Sequence, residues 1–333
     1  MDSDKFKVRF FYRKKGINYS IERVFDTIYS YLINFVEIDI LTLNNHKVNP
    51  IELIANLIYC YKNKITGINH VVGDIHYAAL VLPRKNTILT IHDMVLYHSN
   101  KGIKRLFFFL FWYYLPCKKV NYVTCISEST KYDLINIAKC NPKKIILIPN
   151  PVNNDFKLSK KEFNVSKPVI LHIGTRENKN IERVIEALNK IPCHLKIIGR
   201  LSNNQIALLK KNKIEFSNSI DLTNEEVVEE YNRCDIVSFP SLFEGFGLPI
   251  IEGQAVGRII LTSNLEPMKS LANGSAVLVN PYDVLSIKKG FEDIISDFEK
   301  RQELFNLGLI NIKRFNPELV ASSYFELYKS INF

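Results

Sequence analysis

The chain has 333 residues, with 44 Lys and Arg against 34 Asp and Glu, a formal net charge of +10, and 47% hydrophobic residues. That length and composition suit two globular domains, since a domain takes roughly 100–200 residues. No uncharged apolar run reaches the roughly 18 residues of a transmembrane helix, so none is expected.

The opening MDSDKFKVRFFYRKKG starts on acids and lacks an apolar core, so it does not read as a secretory signal. Cys60, Cys117, Cys125, Cys140, Cys193 and Cys234 are widely spaced, without C-x-x-C. They read as buried thiols of a reducing cytoplasm and not as zinc ligands. Residues 1–150 hold 21 Lys and Arg and 11 Asp and Glu, while the remainder holds 23 of each, so the excess lies in the first half. A basic half suits an anionic partner such as a membrane surface, or serves only solubility. No nucleic-acid-binding motif accompanies the charge.

Residues 6–12 read as a first strand, followed by the basic loop Arg13–Asn18 with its single Gly16. Ser20 then caps an amphipathic helix through Val24, Phe25, Ile28 and Leu32. Val36–Leu43 reads as a strand, Pro50–Lys62 as a helix, and 69–76 as the end of another strand. Thr87–Ile91 is a strand closing on His92-Asp93. Lys101–Leu115 reads as a helix, apolar nearly all round behind a basic start, either core or membrane-facing. Tyr122–Ile126 is a strand with Ser127 as a following cap, and Ile145–Ile148 is a further strand.

Residues 151–167, polar and lysine-rich, read as a linker. A second alternating series follows: strands at Val169–Ile173, Leu195–Gly199, Ile214–Phe216, Asp235–Pro240, Ile259–Ser263 and Ala276–Val279. Helices fall at Asn180–Leu188, Gln205–Lys211, Asn224–Arg233, Asp283–Asp297, Arg301–Lys313 and, after Pro317, Glu318–Ile331. Such alternation implies parallel, doubly wound sheets.

The most informative stretch is Phe239-Pro240-Ser241-Leu242-Phe243-Glu244-Gly245-Phe246-Gly247-Leu248-Pro249-Ile250-Ile251-Glu252-Gly253. Gly245 and Gly247 free the backbone to turn sharply after a strand. Pro249 suits the first turn of a helix. That helix would aim bare N–H groups at a phosphate, with Glu244 and Glu252 placed for hydroxyls. The only Asp-x-Asp is Asp2-Ser3-Asp4, at the extreme terminus, so no diphosphate-bound metal is expected. No G-x-G-x-x-G follows a strand, which disfavours a nicotinamide enzyme.

The string E-G-F-G-L-P-x-x-E, Glu244 through Glu252, resembles the Glu-x7-Glu signature of family 4 glycosyltransferases, retaining enzymes of the GT-B fold. The resemblance implies an α/β chain of two Rossmann-like domains whose parallel sheets face a central cleft. Their boundaries would be 1–150 for an acceptor domain, 151–167 for a linker and 168–315 for a donor domain. Residues 316–333 would form a terminal helix crossing back to the first domain. It further implies that Glu244 bonds the donor sugar and that the amides of Gly245, Phe246, Gly247 and Leu248 hold sugar and phosphate. Glu252 would accept the ribose hydroxyls, which suits an acceptor-only carboxylate.

By the same resemblance, Gly174-Thr175-Arg176 and Lys179 form the loop after the donor domain's first strand, with Lys179 on the diphosphate. The family's Arg directly after that glycine is Thr175 here, with Arg176 one later. Arg200 would flank the nucleobase. Gly16 occupies the family's acceptor loop, which often has two glycines. His92 would stand near the reacting sugar, with His76 a weaker alternative, and Ser127 would cap a helix beside the acceptor. The expected reaction transfers a hexosyl unit from a nucleotide sugar, as co-substrate, to a glycan or lipid-linked hydroxyl. Glu244, Lys179 and His92 would be catalytic, with neither cofactor nor metal. The expected setting is the cytoplasm, peripheral on the inner face of the plasma membrane. The alternative is a GT-B-fold partner subunit that binds the sugar nucleotide without transferring it.

Overall fold

A computed structural model describes residues 6–14, 19–44 and 48–331. The chain divides into two compact units, Met1–Pro151 with Asn316–Phe333, and Val152–Phe315.

In unit 1 the strands are β1 (Phe6–Tyr12), β2 (Val36–Thr42), β3 (Ile68–Val71), β4 (Thr87–Ile91), β5 (Tyr122–Cys125) and β6 (Ile145–Leu147). Between them run α1 (Tyr19–Leu32), α2 (Pro50–Lys62), α3 (Val95–His98), α4 (Gly102–Phe108), α5 (Leu115–Lys119) and α6 (Glu128–Asn136). The strands pair in parallel in the order β2-β1-β3-β4-β5-β6. A parallel sheet is covered on both faces, so its central strands are buried along their length, and every residue of β3 and β4 is buried. The pleat separates two cores. Phe10 meets Phe25 of α1 edge-on at 5.8 Å, while Phe11 joins the cluster containing Cys60, Trp112, Cys117 and Leu134 on the other face.

The stretch expected as one helix over Lys101–Leu115 is α4, a π-helical segment Phe109–Tyr114, and α5. The apolar pattern sets a helical period without setting the hydrogen-bond step, so the wider turn was not legible. Core and surface readings divide along its length. Phe108, Trp112 and Tyr113 are buried, whereas Ile103 is 88% and Leu106 55% exposed.

Unit 2 has strands β7 (Val169–Ile173), β8 (His194–Ile198), β9 (Glu215–Ser219), β10 (Ile236–Phe239), β11 (Ile259–Ser263) and β12 (Val277–Val279). Its helices are α7 (Ile181–Ala187), α8 (Asn203–Lys211), α9 (Asn224–Arg233), α10 (Leu248–Ala255), α11 (Met268–Ala272), α12 (Val284–Ser296) and α13 (Phe298–Asn311). The parallel order is β12-β11-β10-β7-β8-β9. From β7 the chain winds outward to β9, then crosses to the other side of β7. The strand order thus reverses between β7 and β10, the place where doubly wound sheets take ligands at their carboxyl ends.

The lysine-rich stretch 151–167 is anchored on this unit. Phe156 packs edge-on against Tyr231 at 5.1 Å, Arg258 donates to the Ser159 carbonyl at 3.0 Å, and Lys161 pairs with Asp235. The chain then re-enters unit 1 as α14 (Pro317–Lys329), which packs along α1. Its Tyr328 hydroxyl lies 2.9 Å from Nδ1 of buried His70 on β3.

Candidate active site

The reversal point of unit 2 collects the residues that matter most. β10 ends at Phe239, and the chain turns through Glu244–Gly247 into α10. Gly247 sits at φ +125°, in the region that favours glycine, and its missing Cβ leaves room for Leu271 and Ile250. Pro249 lies in the first turn of α10, as expected, because the orphan N–H groups there need no partner from proline. Phe246 turns inward and meets Phe315 edge-on at 5.9 Å, so at most its backbone can serve a ligand.

Opposite this turn stands the loop after β7. Gly174 has φ +92°, and a Cβ there would lie 2.8 Å from Cγ of Lys179. The glycine thus makes space for the lysine stem, a close approach that spacing alone did not reveal. Lys179 Nζ donates to Oε1 of Glu244 at 2.5 Å. The same oxygen accepts from Asn178 Nδ2 at 3.3 Å, and Asn178 also donates to the Phe243 carbonyl at 3.0 Å. Both charged side chains are mostly buried, at 22% and 14% exposed, so the pair is only lightly screened. Lys179 also lies 4.9 Å from the Phe239 ring centroid.

Glu252, one turn into α10, is 9% exposed. Its Oε2 accepts from the hydroxyl of fully buried Tyr231 at 2.6 Å. Thr175 donates to the Arg200 carbonyl at 2.6 Å, linking the loops after β7 and β8. Arg176 and Arg200 are exposed.

Three participants went unnoticed in the sequence. Asn180 adopts φ +64° and donates from Nδ2 to the carbonyls of Pro240 and Pro281, at 3.0 and 2.7 Å. Asn tolerates this left-handed geometry, the one local signal available. Tyr231 and Asn178 carried none, since their partners are tens of residues away. His172 on β7 is fully buried, with no hydrogen-bond partner at Nε2. Burial first, and the Lys179 charge next, push its pKa down to about 3, so it is neutral.

In unit 1 the strand order reverses between β1 and β3, and His92 follows adjacent β4. His92 is 7% exposed and its Nε2–H donates to the Val72 carbonyl at 3.0 Å, which leaves Nδ1 as the acceptor nitrogen. Burial pushes its pKa down to about 4. Asp93 accepts from the Val95 amide at 2.9 Å and so caps the turn that follows. His76 bonds the Trp112 carbonyl at 3.0 Å and is likewise pushed down to about 4 by burial. Arg13 makes a two-point ion pair with Glu22, at 3.0 and 3.2 Å. Ser127 caps α6 by accepting from the Thr130 amide at 3.1 Å. Gly16 lies outside the described residues. All six cysteines are buried free thiols. Among the described residues, no three His, Cys, Asp or Glu side chains converge as a metal site.

Two family models match the chain: Glycosyltransferase Family 4 over residues 24–156, and Glycosyl transferases group 1 over residues 153–306. The serotype-specific mannosyltransferase WbdA of Escherichia coli is 24% identical over 225 residues, covering 60% of this chain and 27% of that protein. This chain therefore spans about a quarter of that relative's length. The O-antigen chain mannosyltransferase RfbU of Salmonella typhimurium is 24% identical over 221 residues, covering 63% of this chain and 61% of that protein. Among solved structures, a sucrose-phosphate synthase from Thermosynechococcus elongatus superposes with a TM-score of 0.79 at 15% identity, covering 98% of both chains. Anabaena HepE in complex with UDP and glucose superposes at 0.75 with 14% identity, covering 98% of this chain and all of the other. At these identities the likeness shows the fold.

Proposed function

Because the chain belongs to the family 4 glycosyltransferases and has their GT-B fold, we propose that it moves a hexosyl unit, with retention, from a nucleotide sugar to a hydroxyl of a glycan or lipid-linked acceptor. The carrying observation is the Lys179–Glu244 pair facing the glycine turn at the reversal point of unit 2. As the glycosidic bond breaks, negative charge builds on the departing nucleoside diphosphate. Lys179 and the N-terminus of α10 supply fixed positive charge for it without a metal. Glu244 takes the donor sugar's hydroxyls, and Glu252 takes the ribose. Neutral His92 offers a hydrogen-bond acceptor to a sugar hydroxyl. The known ligands of relatives and neighbours, mannosyl chemistry in WbdA and RfbU and UDP with glucose in HepE, agree with this class of donor.

A second observation bears on the acceptor. The outer face of α2 exposes Ile51, Ile54, Ile58 and Tyr61, at helical spacing, and α4 exposes Ile103 and Leu106. Both helices cover the same face of the unit 1 sheet. Lys62 and Lys64 flank the first set, and Lys101, Lys104 and Arg105 flank the second. Apolar residues between exposed cations suit an anionic bilayer surface. This supports a lipid-linked acceptor met at the cytoplasmic leaflet. Among the described residues no helix is long and apolar enough to cross a membrane.

The direct test incubates the protein with a panel of nucleoside diphosphate sugars. Release of nucleoside diphosphate, slow alone and faster with mannose-terminated glycans or lipid-linked sugars, supports transfer. Tight binding of one sugar nucleotide with no turnover under any acceptor would instead establish a binding subunit.

A further inference from the structure

Glu252 would be a poor ribose clamp if its carboxylate could rotate freely. Two ribose hydroxyls present their protons at a fixed spacing, and accepting both requires a fixed carboxylate plane. The fold supplies a support for that plane. Tyr231 on α9 is fully buried, and its hydroxyl donates to Oε2 of Glu252 at 2.6 Å, a short bond to a charged acceptor. The ring is itself held. Phe156 packs edge-on against it at 5.1 Å. The Tyr231 backbone carbonyl takes hydrogen bonds from Arg258 Nε at 3.1 Å and Cys234 Sγ at 3.3 Å.

We infer that Tyr231 is a positioning residue for nucleotide recognition, fixing the Glu252 carboxylate so that it reads the ribose hydroxyls. The inference rests on the proposed role of Glu252 as the ribose clamp and adds the residue through which that role is set. Tyr231 touches no ligand itself. Its effect must therefore show only where the ribose hydroxyls are being read.

The test measures, by calorimetry, affinities for uridine and guanosine diphosphates beside their 2′,3′-dideoxy analogues (the deoxy forms). The ratio of deoxy to ribo dissociation constants is the readout, taken on the nucleotide base that binds. Wild type should discriminate against the deoxy form. Tyr231→Phe should weaken the ribonucleotide roughly tenfold while barely changing the deoxynucleotide, so that the ratio collapses. Replacing Tyr231 with 3-fluorotyrosine keeps ring and hydroxyl and should retain the wild-type ratio. In a Glu252→Gln background, Tyr231→Phe should have no further effect. A merely structural role would lower both affinities together and leave the ratio unchanged, which would overturn the inference. Should Tyr231→Phe fail to fold, loss of the ratio in the fluorotyrosine protein would also overturn it, since the hydroxyl is still there. If Glu252→Gln keeps the wild-type ratio, the clamp itself falls and the inference with it. If Glu252→Gln collapses the ratio and Tyr231→Phe does not, the clamp stands and only the inference fails.

Discussion

The two sheets have related winding and carry different chemistry beside their reversal points. In unit 2 the loops after β7 and β10 meet in a charged contact, Lys179 on Glu244, whose cation faces the glycine turn. In unit 1 the charges after β1 are spent on each other, Arg13 on Glu22, and β3 and β4 are followed by imidazoles that burial keeps neutral, His76 and His92, each bonded to a backbone carbonyl. The difference teaches what each unit can offer a reaction. On the proposed reading, unit 2 offers a cation for a diphosphate, and unit 1 offers neutral imidazoles for hydroxyls.

The sharpest way to break that contrast is to remove the cation. Lys179→Ala should lower turnover by about 100- to 1000-fold, as for loss of one group aimed at developing charge. It should also weaken binding of both sugar nucleotide and free nucleoside diphosphate. Glu244→Ala should separate the two ligands. Sugar nucleotide should bind more weakly, while nucleoside diphosphate binds as well or better, because Lys179 loses its carboxylate partner. Identical binding profiles for the two variants, by calorimetry, would contradict the assigned roles.

A smaller effect is expected at the ribose. Glu252→Gln should cost about 1–3 kcal/mol of binding, and equally for sugar nucleotide and nucleoside diphosphate, since both carry the ribose. Unequal losses would mean that Glu252 also reads the sugar.

The contrast also predicts a pH response. Among the described residues, unit 1 holds three buried histidines with lowered pKa values: His70 at about 3, His76 at about 4 and His92 at about 4, against 6.5 ordinarily. Unit 2 holds one, His172, at about 3. A base with a depressed folded-state pKa contributes stability that is present above pH 6.5 and lost as pH falls toward the folded value. By pH 5 each should cost roughly 1–2 kcal/mol. Asp74, raised by burial, works in the opposite direction and offsets part of this. Amide protection factors, which remove the intrinsic slowing of exchange at lower pH, should therefore fall more between pH 7 and pH 5 in unit 1 than in unit 2. An equal fall would remove the histidine explanation.

The smallest effect on the fold is expected at the surface. Replacing Lys101, Lys104 and Arg105 together with Gln should leave the melting temperature nearly unchanged, because exposed charges contribute little. It should weaken flotation with anionic vesicles, as should rising salt. A wild-type protein that ignores such vesicles at low salt would end the membrane reading.

Legibility in the sequence followed how local each signal was. The strands Thr87–Ile91 and Val169–Ile173 are apolar runs bounded by turn residues, and their ends fall where the sequence put them. So do those of Asn224–Arg233, where Thr223 and Glu226 form a capping box visible as T-x-x-E. Pairings that close only in three dimensions were invisible. Asn180 ties the segments after β10 and β12 together, and Tyr231 reaches Glu252 across two helices. Gly174 was noticed for its place in a motif. Its physical task, making room for the Lys179 stem, needed the neighbouring loop to be seen.

The bond between His70 and Tyr328 joins residues 258 positions apart. It lies on the face of the unit 1 sheet where Phe25, Tyr324 and Tyr328 surround the imidazole. That face is not closed until α14 is in place, and α14 follows the whole of unit 2 in the chain. Residues 152–315 are contiguous and can pack during synthesis, whereas unit 1 waits for a segment made after unit 2. A nascent chain stalled before Pro317 therefore presents an aromatic face with no cover. In the cell, chaperone demand should fall on unit 1 until the residues after unit 2 have been made.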